Sequence, residues 1–91
     1  APQFAEGWNK RATVYYLMNN YEKSIRDIRQ TLALEPRHFG AVSGLGLIYL
    51  ELGDGASALE AFQRALKINP YNAGTRIQVE ILRRHFGGKA I

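Results

Sequence analysis

Few side chains in this 91-residue sequence are of types that perform chemistry, and their spacing assembles no reactive group. His38 follows a proline and His85 lies near the C-terminus, and neither belongs to a motif with a nucleophile or a second metal ligand. Cysteine is absent, which excludes disulfides and thiolate ligands, and there is no phosphate-binding loop or cofactor fingerprint. We therefore predict that the protein is not an enzyme and uses no cofactor or metal. Both histidines are expected to be exposed to solvent.

The charged residues favour a solvated surface. Twelve basic and eight acidic residues give a net charge of +4. Oppositely charged residues recur four positions apart, which brings their side chains together on the outer face of a helix. These pairs are Glu22 with Arg26, Lys23 with Asp27, and Glu60 with Arg64. Arg83 and Arg84 form an unpaired cluster without the interleaved aromatic residues that stack on single strands, so nucleic-acid binding through the C-terminal helix is kept as a minor alternative.

The composition is that of an ordinary folded domain, with 46% hydrophobic and 22% charged residues. No stretch reaches the roughly 18 apolar residues that a membrane span requires, and no signal peptide opens the chain. We expect a soluble domain and predict no compartment. Because the sequence begins just before its first predicted helix, the hypothesis that it is a fragment of a longer protein stays open.

The apolar helical segments of the sequence recur with a period of 34 residues. Pro36 and Pro70 lie 34 residues apart, and each follows an apolar helical segment. The same shift superimposes Tyr15 on Tyr49, Leu32 on Leu66, and Ala12 on Gly46. The period indicates two copies of one structural unit.

Hydrophobic periodicity predicts an all-α fold of five helices. The helices are predicted at residues 6–18, 21–35, 40–52, 56–69 and 73–86. Asn20, Asp54 and Asn72 precede three of them and are expected to accept hydrogen bonds from the first free amides. Connections of only a few residues favour antiparallel neighbours.

The repeated unit resembles the tetratricopeptide repeat, a helix pair that stacks into an α-α superhelix. The positions of the family pattern are occupied by Trp8, Arg11, Ala12, Tyr15, Ser24, Ile28, Thr31 and Pro36 in the first copy, and by Val42, Leu45, Gly46, Tyr49, Ala58, Phe62, Ala65 and Pro70 in the second. The resemblance implies a single domain with repeat 1 at residues 5–38, repeat 2 at 39–72, a capping helix at 73–86 and a frayed tail at 87–91. Arg11 replaces a leucine of the pattern and is expected on a face that no preceding repeat covers. Gly55 is expected to weaken one turn of the second unit.

The resemblance also implies a protein-binding scaffold, because the first helices of successive tetratricopeptide repeats line a concave surface. On this surface the resemblance places Asn9, Lys10, Thr13, Tyr16, Ser43, Leu47, Leu50, Ile77, Ile81 and Arg84. The surface would be polar and basic at one end and apolar at the other, so the expected ligand is a peptide or helix of a partner protein with an acidic residue and apolar anchors. For Ile77 and Ile81, packing within the core of the monomer is the alternative.

Two glycines belong to the same predicted surface. Gly40 and Gly44 lie one turn apart and would let a partner backbone approach closely. The alternative is that Gly40 starts the helix and Gly44 has no special role. The lysine and asparagine clamp that holds chaperone tails in some relatives is absent, since Asn9, Thr13 and Gly44 occupy its positions.

Self-association is the second functional hypothesis. Two repeats bury little core, and the edges of a short solenoid can stack on another copy, so the chain could form a homo-oligomer through its groove or its repeat edges. The identity of the partner is not predicted.

Overall fold

The computed structural model describes residues 4–87, in which the chain forms five α-helices and a terminal π-helical turn. The helices are α1 (Ala5–Leu17), α2 (Tyr21–Leu34), α3 (Phe39–Glu51), α4 (Gly55–Ile68) and α5 (Ala73–Leu82), and the π-helical turn is Arg83–Gly87. Boundaries predicted for the first four helices lie within one residue of those observed. The all-α prediction is confirmed. Apart from Gly87, the predicted tail lies outside the described residues.

Side-chain caps fix where three helices begin. In each case the backbone N–H of the third helical residue donates to the capping side chain: Lys23 to Asn20 at 3.3 Å, Ser57 to Asp54 at 3.1 Å, and Thr75 to Asn72 at 2.9 Å. Hydrogen bonds from Ser57 lower the pKa of Asp54 below its ordinary value. All three predicted caps are confirmed.

His38 is a cap that the sequence analysis missed. Its Nδ1 accepts a hydrogen bond from the Ala41 N–H at 3.0 Å, and its Nε2 lies 2.9 Å from Oε1 of Glu6. A neutral ring that accepts at Nδ1 carries its proton on Nε2, so it donates to Glu6 and links the starts of α1 and α3. The side chain of His38 is only 13% exposed, and its expected solvent exposure is therefore wrong. His85 is exposed, as expected.

Two helix pairs pack closely, α1 with α2 and α3 with α4. In each pair the close contact lies at a small residue of one helix. The hydroxyl of Ser24 donates to the carbonyl of Ala12 at 2.7 Å, and both residues are buried. In the second pair Gly46 lies under the ring of Phe62, whose Cε1 would be 2.7 Å from a Cβ added to the glycine. The paired helices can therefore approach this closely only because these positions carry small residues.

The core consists of two clusters that meet at α3. The N-terminal cluster comprises Ala12, Ile28, Ala41 and Ile48, and the C-terminal cluster comprises Ala58, Leu59, Phe62, Val79 and Leu82. Helix α3 supplies Ile48 to the first cluster, and its half-buried Tyr49 and Leu50 pack against the second. Helix α5 contributes Val79 and Leu82, so it covers the apolar side of α4. The third helix thus joins the two halves of the core.

The last segment departs from the predicted helix at residues 73–86. Regular α-helix ends at Leu82, and the wider π-helical turn follows. The ring of Phe86 lies against Gly55 at the start of α4, where a Cβ would overlap it. Gly55, which the sequence predicts to weaken a turn, is also a packing position for the π-helical turn.

Arg11 and Asp27 form a two-point ion pair between α1 and α2. Nε of Arg11 donates to Oδ2 at 2.7 Å and Nη2 to Oδ1 at 3.0 Å, while the Asp27 side chain is only 2% exposed. The hydrogen bond to Asp27 raises the pKa of the Arg11 guanidinium, which also lies over the rings of Trp8 and Tyr15. The predicted exposed pair of Lys23 with Asp27 is therefore wrong.

Alanine substitutions at two glycines of α3 distinguish a glycine required for helix packing from a glycine on the surface. A methyl group at Gly46 would collide with Phe62, and we expect Gly46→Ala to lower the free energy of unfolding by about 1–3 kcal/mol. A methyl group at Gly44 would meet only Ile28 Cδ1 at 3.7 Å, so Gly44→Ala should leave stability unchanged or raise it by up to about 1 kcal/mol. Urea unfolding followed by circular dichroism measures both. If both substitutions lower the free energy of unfolding equally, the assignment of Gly46 to the packed face of α3 and of Gly44 to the open face is wrong.

Removing Arg11 alone should lower stability more than removing both Arg11 and its buried partner Asp27. Arg11→Ala leaves the Asp27 carboxylate buried without its partner, and we expect a large fall in melting temperature. The double variant Arg11→Leu/Asp27→Leu should recover much of that loss, because no buried charge remains. Arg26→Ala, at an exposed position on α2, is the control and should melt close to the parent protein. If Arg11→Ala melts like Arg26→Ala, the ion pair is not structural.

Candidate functional site

A narrow cleft of about 50 Å³ lies between α1 and α3. It is lined by Asn9, Ala12, Thr13, Tyr16, Ser24, Ile28, Gly40, Gly44, Leu47 and Ile48. The structure thus brings together four residues of the predicted concave surface, Asn9, Thr13, Tyr16 and Leu47, with both glycines that the sequence analysis assigned to it. Buried residues of α1, α2 and α3 form the floor of the cleft.

The two glycines shape the cleft in different ways. Gly40 is the second residue of α3, and a Cβ there would lie 3.3 Å from His38 Cε1 and 3.5 Å from the Asn9 amide nitrogen. Close packing at the helix start therefore accounts for Gly40. At Gly44 the nearest atom is Ile28 Cδ1 at 3.7 Å, an ordinary contact distance. A methyl group would fit at Gly44, and its absence leaves the cleft open.

Polar groups lie at both ends of the cleft. The Asn9 side-chain amide makes no hydrogen bond within the described residues, whereas the Thr13 hydroxyl donates to the Asn9 carbonyl at 3.1 Å. Tyr16 stacks at a tilt on Tyr21, with ring centroids 5.8 Å apart. Burial raises the pKa of Tyr21, and the nearby Glu51 carboxylate raises it further. The cleft therefore offers a free amide at one end and aromatic rings at the other.

Three other predicted surface residues do not line this cleft. Lys10 is exposed on α1 and lies next to Asn9 in sequence. Leu50 packs against the C-terminal cluster, so its side chain supports the fold. Ser43 is partly buried, and its hydroxyl oxygen is enclosed without a hydrogen-bond partner in the part of the chain that the structure describes.

The three predicted residues of the C-terminal segment also lie outside the cleft. Ile77 is 59% exposed and Ile81 is 49% exposed, which excludes the alternative that both pack within the core of the monomer. Arg84 is exposed and lies 3.7 Å from Glu80 on the preceding turn. Ile77 and Ile81 form an apolar patch on α5 beside charged side chains.

Sequence reasoning missed the contributions of α2 and of His38 to this site. Ser24 and Ile28 of α2 form part of the floor, and the sequence identified both only as positions of the family pattern. His38 packs at the end of the cleft beside Gly40. It lies two residues before the predicted helix at 40–52 and three residues before Ala41, which is close to a capping position, and this was the available signal.

The described residues show no metal site and no membrane span. Between residues 4 and 87, no three or more His, Cys, Asp or Glu side chains are grouped so that they could hold a metal ion. None of the helices in the same range has the length and apolar character needed to cross a bilayer.

Comparisons with known proteins agree with this architecture. The sequence profile of the tetratricopeptide repeat family matches residues 9–73. A TPR repeat-containing protein of Rhizobium etli is 42% identical over 87 residues, a match that covers 96% of this chain and 43% of the relative. The chain thus spans less than half the length of this relative.

Solved structures show the same fold at low sequence identity. The crystal structure of MamA superposes with a TM-score of 0.84 at 20% identity, covering 91% of this chain and 48% of that one. The first TPR of Spaghetti (RPAP3), bound to the HSP90 peptide SRMEEVD, superposes with a TM-score of 0.84 at 19% identity, covering 94% and 68%. These structures confirm the predicted helical-repeat superhelix. The sequence match shows that the chain belongs to the tetratricopeptide repeat family, whose domains are protein–protein interaction modules.

Proposed function

We propose that the protein binds a peptide or helix of a partner protein over the cleft between α1 and α3. The observation that carries this proposal is that Gly44 lines the cleft although the methyl group of an alanine would fit there. Glycine inside a helix costs up to about 1 kcal/mol relative to alanine. Close approach by another chain explains that cost, because packing within the monomer does not require glycine at this position.

The chemistry around the cleft defines the ligand. Leu47 is 42% exposed at its edge and provides an apolar contact. The unbonded amide of Asn9 can pair with a peptide backbone, and Lys10 can pair with an acidic side chain. The cleft itself has room for only a small side chain, so most of the contact area must come from the surrounding surface. A matching segment carries an acidic residue followed by aliphatic or aromatic anchors.

The exposed patch on α5 extends this surface in the proposal. In the superhelix, α1, α3 and α5 are the first helices of successive units, and Ile77 and Ile81 are exposed on the last of them. They provide anchors beyond Leu47. The Spaghetti domain that shares this fold is bound to an HSP90 peptide, which supports a peptide as the class of ligand without identifying the ligand of this chain.

Variants of the cleft test this function with peptides selected from a phage-displayed library on the parent protein. Gly44→Leu fills the cleft and Leu47→Glu places a charge at its edge. Each should weaken binding of a selected peptide at least about tenfold, or about 1.4 kcal/mol. Lys10→Ala should weaken it less and reduce its salt dependence. Isothermal titration calorimetry measures all three.

Arg26→Glu is the control, because Arg26 is exposed on α2 away from the cleft. The affinity of this variant for the selected peptide should stay within about twofold of the parent value, because a single exposed charge remote from the site contributes little. Full affinity in both Gly44→Leu and Leu47→Glu, with folding verified by circular dichroism, would refute the assignment of the cleft.

Assembly with other copies of this chain is a second candidate function, favoured by exposed apolar residues on α1 and at its two ends. Phe4, Val14 and Met18 are all more than half exposed. Light scattering distinguishes the functions, because a mass of 10.2 kDa at all concentrations supports a monomeric receptor. A larger mass that Met18→Glu reduces to the monomer value would instead support assembly.

A further inference from the structure

The positive charge of this protein is concentrated in its C-terminal third. Residues 1–60 contain six basic and seven acidic residues, a net charge of −1, whereas residues 61–91 contain six basic and one acidic residue, a net charge of +5. The two parts together give the overall charge of +4. Such an asymmetry directs acidic partners toward one end of a domain.

Three of these basic residues share one groove. Arg64 and Lys67 on the exposed side of α4 and Arg83 on the π-helical turn line a groove of about 690 Å³. The other lining residues are Glu60, Gln63 and Leu66. No carboxylate oxygen among the described residues lies within 4.0 Å of these three cationic groups. Arg64 donates instead to the Pro36 carbonyl at 3.2 Å, and its predicted pair with Glu60 is therefore wrong.

Packing on both sides of Arg83 holds the groove in shape. Leu82 is buried in the C-terminal cluster, and the Phe86 ring lies against Gly55 of α4. The backbone that carries Arg83 is therefore attached to α4 before and after this residue. A basic groove that is already formed loses less conformational entropy when it binds a ligand than free lysine and arginine side chains would lose.

We propose that this basic groove, defined by Arg64, Lys67 and Arg83, is a second binding site that takes an acidic segment of a partner protein. Guanidinium groups bind carboxylates through paired hydrogen bonds, and two of the three cations are arginines. Leu66 offers an apolar contact and Gln63 can pair with a peptide backbone. The site lies on α4 and the π-helical turn and shares no residue with the cleft between α1 and α3.

The lining residues favour a peptide over a nucleic acid. The lining of the groove includes no aromatic ring on which a base could stack, whereas Leu66 offers an apolar contact to an aliphatic side chain. A carboxylate-rich segment with an aliphatic residue can place its acids on the three cations and its apolar side chain on Leu66. The occupant is therefore an extended segment with acidic and aliphatic residues interspersed.

Charge reversal in the groove tests this site. The probe is a fluorescein-labelled peptide of repeated Glu-Glu-Leu units, followed by anisotropy at low and physiological ionic strength. The triple variant Arg64→Glu/Lys67→Glu/Arg83→Glu should weaken binding at least about tenfold, because like charges then face the peptide. The matched control Arg26→Glu/Arg29→Glu/Arg37→Glu changes net charge equally at exposed positions and should weaken it less than about threefold.

Four outcomes would overturn the proposal. The first is that the parent protein does not bind the peptide, and the second is that both triple variants lose peptide affinity equally. The third is that Leu47→Glu strongly weakens binding of this peptide. The fourth is that a labelled oligothymidylate binds more tightly than the peptide and depends on the groove residues, which would assign the groove to nucleic acid. If the groove triple variant does not fold, Lys67→Gln and Arg83→Gln are measured singly. Each should weaken peptide binding by about threefold, as expected for one exposed ion pair.

Discussion

The distance between paired helices is the constraint on which this structure depends. Ala12 and Gly46 occupy equivalent positions of the repeat, where the partner helix comes close: Ala12 is buried, and even a Cβ at Gly46 would collide with Phe62. Ser24 then reaches the Ala12 carbonyl, and the Phe62 ring covers Gly46. Because dense cores resist changes in volume, the small residues determine which faces of α1 and α3 point inward and therefore which faces remain for a ligand.

Helix α3 converts this packing into a candidate binding surface. It contributes to both core clusters, so its orientation is fixed from two sides. The face it turns toward α1 includes Gly44, where no packing demand explains the glycine, and the exposed Leu47 follows one turn later. His38, hydrogen-bonded to Glu6 and to the first turn of α3, holds the same two helices together at one end.

Local features of the sequence predicted the helices well, whereas contacts between distant residues were missed. Proline positions and capping residues act within a few residues, and the repeat period relates each boundary in one copy to its equivalent in the other. The boundaries of α1 to α4 and three caps followed from them. The sequence paired Asp27 with Lys23 because they are one turn apart, but Arg11, 16 residues away, reaches it across the helix interface. Leu50 was assigned to the surface by the family resemblance, which does not show how this side chain packs against the C-terminal cluster. The contact of Phe86 with Gly55 had no local signal at all.

The central claim is that the face shared by α1 and α3 is where a partner binds, and backbone amide chemical shifts test it residue by residue. Titration of the ¹⁵N-labelled protein with a peptide selected on the parent chain should give the largest shift changes at Thr13, Gly44 and Leu47, which border the cleft. The same titration with Gly44→Leu should give little change there. Largest changes on the exposed side of α2, around Arg26, with the cleft amides unmoved, would contradict the account.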